Sequence, residues 1–208
     1  MEDESISLIA KKLDVVHAAN ELCRKRKFDA ISVSDICDEA GISTSTFYRL
    51  FNGKHDVPAW YLRFATNSSI EQIGACFKCE QAFCVMLGLM ERCRHLYGNV
   101  KDTPEMNMVD RTEIERISQR VLQNLREYHD IEPDEELKYE LSWVTVAGVA
   151  LSGEWLHGNF KEEPNKLARI FADCYPQRLR TLLDAPPAYT PETPASIGVV
   201  LALTSSRS

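Results

Sequence analysis

The feature that most constrains the fold is a pair of short helix patterns joined by a glycine, between residues 32 and 53. In the first pattern, Ser32 or Ser34 can cap a helix, and Gly41 can end it in the left-handed backbone conformation. In the second, Ser43 is a good N-cap and Gly53 a helix stop. Two short helices joined through a tight turn form a helix-turn-helix.

The second helix pattern separates an apolar face from a polar one. Phe47, Leu50 and Phe51 recur at a spacing of three and four residues, so we expect them to face the core. The first turn and the opposite face carry short hydroxyls, one phenol and one guanidinium, namely Thr44, Ser45, Thr46, Tyr48 and Arg49. Short side chains allow the backbone of this helix to approach another surface closely.

This stretch resembles the TetR family of bacterial transcriptional regulators over roughly residues 13–61. The resemblance is carried by "ISVSDICDEAGISTSTFYRLFNGKHDV", in which the glycine turn, the Phe-Tyr pair and the trailing Gly-Lys have the family's spacing. It implies an all-α fold with a three-helix helix-turn-helix DNA-binding domain over 1–56. A helical ligand-binding and dimerisation domain would follow over 57–184. The implied function is a homodimeric repressor that binds a palindromic DNA operator and responds to a small-molecule effector, although the sequence leaves activation open.

The resemblance also implies which side chains contact DNA. In such families the start of the third helix reaches base edges in the major groove, a role that falls here to Thr44 and Ser45. The phosphate backbone would be held by Ser34, Thr46, Tyr48 and Lys54. Arg49 could contact either the bases or the phosphates. An ion pair between Arg49 and Asp56 is the open alternative for that residue. The complete predicted set is Ser34, Thr44, Ser45, Thr46, Tyr48, Arg49 and Lys54.

The net charge and one residue of the motif fit DNA binding less well than the rest of the pattern. The formal net charge is −7, whereas DNA affinity depends heavily on neutralising phosphates. Exposed charges more than roughly 10 Å apart are largely screened in salt, so the local pattern matters more than the sum. Leu50 stands where relatives often carry a polar residue. The alternative is therefore a protein of this fold that binds a protein partner, as an adaptor or coactivator, and does not itself read DNA.

The rest of the chain is helical by pattern. Helices are predicted at about 57–80, 83–97, 112–128, 133–160 and 162–183. Pro176 should kink or restart the last of them. In the family the last two helices pair with their copies, so the resemblance predicts a dimer interface, with an intrachain core as the alternative. The predicted interface residues are Ala147, Gly148, Leu151, Trp155, Leu167, Phe171 and Cys174.

Methionine and aromatic residues in the second domain are candidates for an effector site, because they adapt to irregular apolar ligands. The resemblance, rather than their spacing, makes such a ligand expected. The candidate lining residues are Phe83, Met86, Met90, Tyr97, Met106 and Trp143.

Cys76 and Cys79 form a CxxC and can share one helix face, with Lys78 between them. A thiol switch or a metal sensor is therefore an open alternative. There is no second CxxC, and the spacing beyond Cys79 fits no standard zinc module. We expect small buried thiols, no bound metal and no cofactor.

Catalysis, a membrane span and secretion receive little support from the sequence. It has no G-x-S-x-G, no phosphate-binding glycine loop and no H-E-x-x-H, so we do not expect an enzyme. Its compact apolar run, Ile197 to Leu203, is far shorter than the roughly 20 residues of a membrane span. The amino end lacks the features of a secretory signal, so we expect a cytoplasmic protein with no membrane partner. The Pro-rich stretch 185–208 is predicted to be a poorly ordered tail.

Overall fold

A computed structural model describes residues 4–100, 103–158, 161–191 and 193–205 of the 208-residue chain. Over these residues the protein is all-α, as predicted, and contains no strand. Two short 3-10 turns lie at Phe28–Ala30 and Ile70–Gln72. The helices in chain order are α1 (Ile6–Cys23), α2 (Val33–Ala40), α3 (Thr44–Leu50), α4 (Asp56–Asn67), α5 (Cys79–Arg92), α6 (Arg94–Val100), α7 (Pro104–His129), α8 (Glu135–Leu156), α9 (Pro164–Asp173), α10 (Gln177–Leu183) and α11 (Ala195–Ser205).

Local capping fixes α2 and the turn that follows it. Ser32 is the N-cap of α2: its Oγ accepts a hydrogen bond from the Asp35 backbone N–H at 3.1 Å. The Asp35 carboxylate accepts one from the Ser32 N–H at 2.8 Å, which completes a capping box. These bonds, the backbone bond foremost, lower the pKa of Asp35 to about 2. Gly41 then ends α2 with a φ of 66°, in the left-handed region.

The capping of α3 also follows the prediction, because the Ser43 Oγ accepts a hydrogen bond from the Thr46 N–H at 3.1 Å. Phe47 on the inner face of α3 is 0% exposed, and Ile36 of α2 is equally buried. Helix α2 therefore packs through apolar faces against α1 and α3, and the polar face of α3 stays outside.

The second domain is built around α5 and α7. Helix α5 packs along α9, α7 packs against α8, and α10 contacts α8, where Arg178 pairs with Asp134 and Glu136 at its amino end. Helix α4 connects the two domains, since it contacts α1 on one side and α5 and α7 on the other. Pro176 separates α9 from α10, as the sequence predicts.

The helix predicted over 57–80 is shorter in the structure, because α4 ends at Asn67. The chain then makes the turn Ile70–Gln72, and Gly74 adopts a φ of 76°. The fully buried amide of Asn124, on α7, donates to the carbonyls of Glu71 and Ile73, both at 2.8 Å. A distant side chain thus donates the hydrogen bonds that backbone N–H groups would supply in a continuous helix. The local sequence pattern does not reveal this contact.

The prediction of a poorly ordered tail over 185–208 also differs from the structure. Residues 195–205 form α11, which packs against α5 and α1. Ile197 is 3% exposed and Val200 is 0% exposed, so a docked apolar face holds this segment. None of the helices in the described ranges is both long and apolar enough for a bilayer crossing.

We predict that Gly41→Ala lowers the free energy of unfolding by roughly 1–2 kcal/mol, because a Cβ is unfavourable in left-handed backbone. The matched control is Gly53→Ala, since neither glycine has an atom within 4 Å of an added Cβ and Gly53 lacks a positive φ. Urea unfolding followed by circular dichroism measures both. Equal losses in the two variants would show that the conformation of Gly41 does not hold the turn.

Candidate nucleic-acid interface and ligand cavity

The polar face of α3 points away from the core. Thr44, Ser45 and Arg49 are exposed, and Thr46 is half-buried. Tyr48 is 59% exposed although it follows the fully buried Phe47. Five of the predicted DNA-contacting side chains thus lie together at the surface of one short helix.

Hydrogen bonds organise this polar face from within. The Thr46 Oγ1 lies 3.0 Å from the Ser43 Oγ and accepts a hydrogen bond from the Arg49 Nη2 at 3.2 Å. The carboxylate of Asp56 instead accepts two hydrogen bonds from Asn52, at 2.9 Å from its backbone N–H and at 2.8 Å from its side chain. The alternative of an Arg49–Asp56 ion pair is therefore not the observed arrangement, and the guanidinium stays on the outer face of α3.

Ser34 and Lys54 are the two predicted contacts that lie outside α3. Ser34 is the second residue of α2 and is exposed, and because Ser32 caps that helix, Ser34 is not needed as the cap. Ser34 therefore remains a candidate for contact with a neighbouring phosphate.

Lys54 has a structural role that the sequence did not predict. Its Nζ donates to three backbone carbonyls, those of Phe28 at 3.2 Å, Asp29 at 2.9 Å and Ile31 at 2.9 Å. An ammonium has three donors, so all of them are used. Lys54 thus connects the turn between α1 and α2 to the residues that precede α4, and its contact with phosphate stays a prediction. The sequence could not show the structural role, because the acceptors lie 23 to 26 residues away.

A cavity of about 70 Å³ lies in the second domain, between α4, α5, α7 and α8. Five of the six predicted ligand-binding residues line it, namely Phe83, Met86, Met90, Tyr97 and Met106. The sixth, Trp143, does not: it is 66% exposed on the outside of α8. The volume is well below the roughly 300–1,000 Å³ of pockets that hold drug-sized ligands, so a ligand of that size requires the methionine side chains to move.

Sequence reasoning missed the polar wall of this cavity, which Thr66 and Glu113 form. They are each 2% exposed, and the Thr66 Oγ1 donates to the Glu113 Oε2 at 3.1 Å. A glutamate is expected on the solvent face of a helix, so the helical pattern of α7 gave no signal of its burial.

Arg116 joins Glu113 to a second buried carboxylate. Its Nη2 donates to the Thr66 Oγ1 at 2.8 Å and pairs with Glu113, while its Nη1 lies 2.5 Å from the Glu71 Oε1. Glu71 is 3% exposed. Burial raises the pKa of Glu71; Arg116 acts against this rise and Glu113 adds to it. One guanidinium is thus shared between two buried carboxylates.

Three of the seven residues predicted at the dimer interface are buried within the single chain. Trp155 is 1% exposed, and its Nε1 donates to the Glu162 carbonyl at 3.0 Å. Leu167 and Phe171 are 4% and 5% exposed, and the ring of Phe171 meets Phe83 edge-on at 5.4 Å. Leu167 and Phe171 lie on α9, which packs on α5 within the same chain, and this burial favours the intrachain alternative for them.

The remaining predicted interface residues differ in position. Gly148 lines the cavity. Ala147 and Leu151 are half-buried, and Cys174 is exposed. The outer face of α8 exposes three large side chains that were not in the predicted set, namely Tyr139 at 74%, Trp143 at 66% and Val146 at 49%.

The CxxC cysteines lie in surroundings that disfavour thiolates. Burial raises the pKa of Cys79, which is 0% exposed, and also that of the half-buried Cys76. A protonated thiol is a weak nucleophile and a weak metal ligand. Within the part of the chain that the structure describes, no three His, Cys, Asp or Glu side chains are grouped so as to hold a metal ion.

Comparisons with known proteins agree with this architecture. The model of the family described as bacterial regulatory proteins, tetR family, matches residues 15–57, which span α1 to the start of α4. The dihydroxyacetone kinase operon activator DhaS superposes with a TM-score of 0.61 at 16% identity, covering 85% of this chain and 99% of that chain. A tetR-family transcriptional regulator from Streptomyces coelicolor superposes with a TM-score of 0.54 at 16% identity, covering 95% and 100%. No curated protein matches the sequence.

We predict that Lys54→Met lowers the free energy of unfolding by about 1–3 kcal/mol, because three carbonyls lose a charged donor. Lys25→Met, at an exposed lysine, is the control for the loss of one positive charge. Urea unfolding of both variants tests this. If Lys54→Met matched the control in stability and weakened only DNA binding, the ammonium would act on phosphate as the sequence predicted.

Proposed function

Since this chain belongs, by its amino-terminal domain, to the TetR family of bacterial transcriptional regulators, we propose that it is a homodimer that reads a palindromic DNA operator. A small molecule in the cavity of the second domain controls this binding. The protein acts in the cytoplasm and is not catalytic. We expect the bound dimer to repress transcription. Activation is the alternative, since the fold is similar to that of an operon activator.

The observation that carries this proposal is the exposed polar face of α3. Thr44 and Ser45 are at the start of a helix that a glycine turn and a serine cap hold in place. Their hydroxyls and the Thr44 methyl group suit bases in the major groove. Tyr48 and Arg49 lie on the same face, where they suit phosphates or groove edges.

A dimer compensates for the weak DNA binding expected of a single helix-turn-helix domain. Short hydroxyl side chains lack the bidentate contact with guanine that an arginine makes, so a single domain would bind DNA weakly. Two domains related by a twofold axis double the contacts and match a palindromic operator.

The outer face of α8 is the surface that we assign to the dimer. Tyr139, Trp143 and Val146 follow one another at spacings of four and three residues, so they share one helix face. All three are exposed in the single chain. Exposed apolar patches with aromatic residues are typical of protein interfaces.

Helix α4 is the element that would couple the effector to DNA. It packs against α1 of the reading domain, and its Leu62 and Thr66 line the cavity. A ligand that fits the cavity better in one position of α4 shifts the population towards that position and so changes the separation of the two reading heads. A ligand with equal affinity for both states would leave operator binding unchanged.

We predict that selection of genomic DNA fragments with the purified protein enriches one palindrome, and that Tyr48→Ala weakens its binding at least about tenfold. Each protomer loses a hydrogen bond of about 1 kcal/mol, and the dimer loses two. Tyr189→Ala is the matched control, since both tyrosines are 59% exposed. Gel shifts at two salt concentrations measure both variants. No enrichment at low salt would contradict DNA reading and favour a protein-binding adaptor.

We also predict that Trp143→Glu raises the dimer dissociation constant at least about 30-fold, as expected when a charge replaces a central aromatic contact. Ile6→Glu is the control, because Ile6 is 60% exposed on α1, away from α8. Sedimentation velocity over a concentration series distinguishes the two. A dimer that tolerates Trp143→Glu as well as Ile6→Glu would place the interface elsewhere.

A further inference from the structure

The charge of the cavity wall is the property of the effector site that sequence patterns do not reveal. Among the described residues that line the cavity, the one with a formally charged side chain is Glu113. It is 2% exposed, so water does little to screen its carboxylate. Its neighbour in the wall, Thr66, donates a hydrogen bond to it.

Acidic side chains outnumber basic ones in the cluster behind this wall. Arg116 pairs with both Glu113 and Glu71, so two carboxyl groups share one guanidinium, and burial raises the pKa of Glu71. The guanidinium is partly exposed and does not line the cavity, whereas Glu113 does. An ammonium beside Glu113 would add a second opposite charge at a site that water screens poorly, which would be favourable.

The rest of the lining suits the remainder of such a ligand. Phe83 and Tyr97 also line the cavity, and aromatic rings can attract cations as well as apolar groups. Met86 and Met90 are unbranched and adaptable, so they can make room for an apolar body beyond the present 70 Å³.

We propose that the effector is an amphipathic organic monocation, with its protonated amine received by Glu113 beside Thr66 and its apolar body between the aromatic and methionine side chains. This inference rests on the proposed function, which supplies the reason for a ligand in this cavity. It adds the chemical class of that ligand: a lipophilic amine rather than an acid or a neutral compound.

The test compares three probes with the same phenyl ring and a similar chain: 2-phenylethylammonium, 2-phenylethanol and 3-phenylpropionate. Isothermal titration calorimetry at pH 7, without DNA, measures their affinity for the full-length protein. We expect the cation to bind at least about tenfold more tightly than the alcohol, and the carboxylate to bind most weakly. Tightest binding of the alcohol or the carboxylate, or no detectable binding of the cation, would overturn the inference.

Two variants assign the preference to one side chain. Glu113→Gln should abolish the advantage of the cation over the alcohol and retain binding of the alcohol. Glu115→Gln removes the same charge from an exposed position two residues away on α7, and should leave the preference intact. A preference that persists in Glu113→Gln would overturn the assignment. If Glu113→Gln fails to fold, the order of the three affinities for the wild-type protein still tests the inferred ligand class.

Failure of this inference and failure of the proposed function have different signatures. A protein that binds its operator but prefers a neutral or acidic probe retains the regulatory function and loses the inferred ligand class. The other outcome is a protein that prefers the cation through Glu113 but binds its operator equally well with and without the cation. Such a protein retains the inferred ligand class. In that case the regulatory role of the cavity is lost.

Discussion

Helix α4 is buried between the amino-terminal domain and the second domain, and it contacts α1, α5 and α7. Nine of its twelve residues are buried, including the aromatic residues Trp60, Tyr61 and Phe64. Trp60 meets Phe51, which follows α3, at 6.0 Å, and the Tyr61 hydroxyl donates to the Leu89 carbonyl of α5 at 2.8 Å. One short helix is therefore packed into both the amino-terminal domain and the core of the second domain.

The polar cluster at the carboxyl end of α4 is the second consequence of this packing. Thr66, Glu113, Arg116 and Glu71 come from α4, the following turn and α7, so they meet only when those elements are packed. Their hydrogen bonds and ion pairs hold the carboxyl end of α4 to α7. They also place the Glu113 carboxylate in the cavity wall.

The outward part of the candidate site could be predicted from sequence because local rules govern it. Caps at Ser32 and Ser43 and the stop at Gly41 depend on residues within one turn. They fix the faces of α3 and hence the exposure of Tyr48 and Arg49. The role of Lys54 escaped this reasoning, since its three acceptors are carbonyls more than 20 residues away.

Helical periodicity and capping are local properties, so the sequence predicted the all-α class and the helix-turn-helix with its exposed polar face. The five side chains around the cavity were predicted instead from their residue types and from the family resemblance. Only the tertiary structure decided that α4 stops at Asn67, that α11 docks on the core, and that Trp155 faces inward while Trp143 faces out. It also placed Glu113 in the cavity wall. A helix that is apolar on most sides has no unique inner face until its neighbours are in place, and burial of a charge depends on a partner that only the fold supplies.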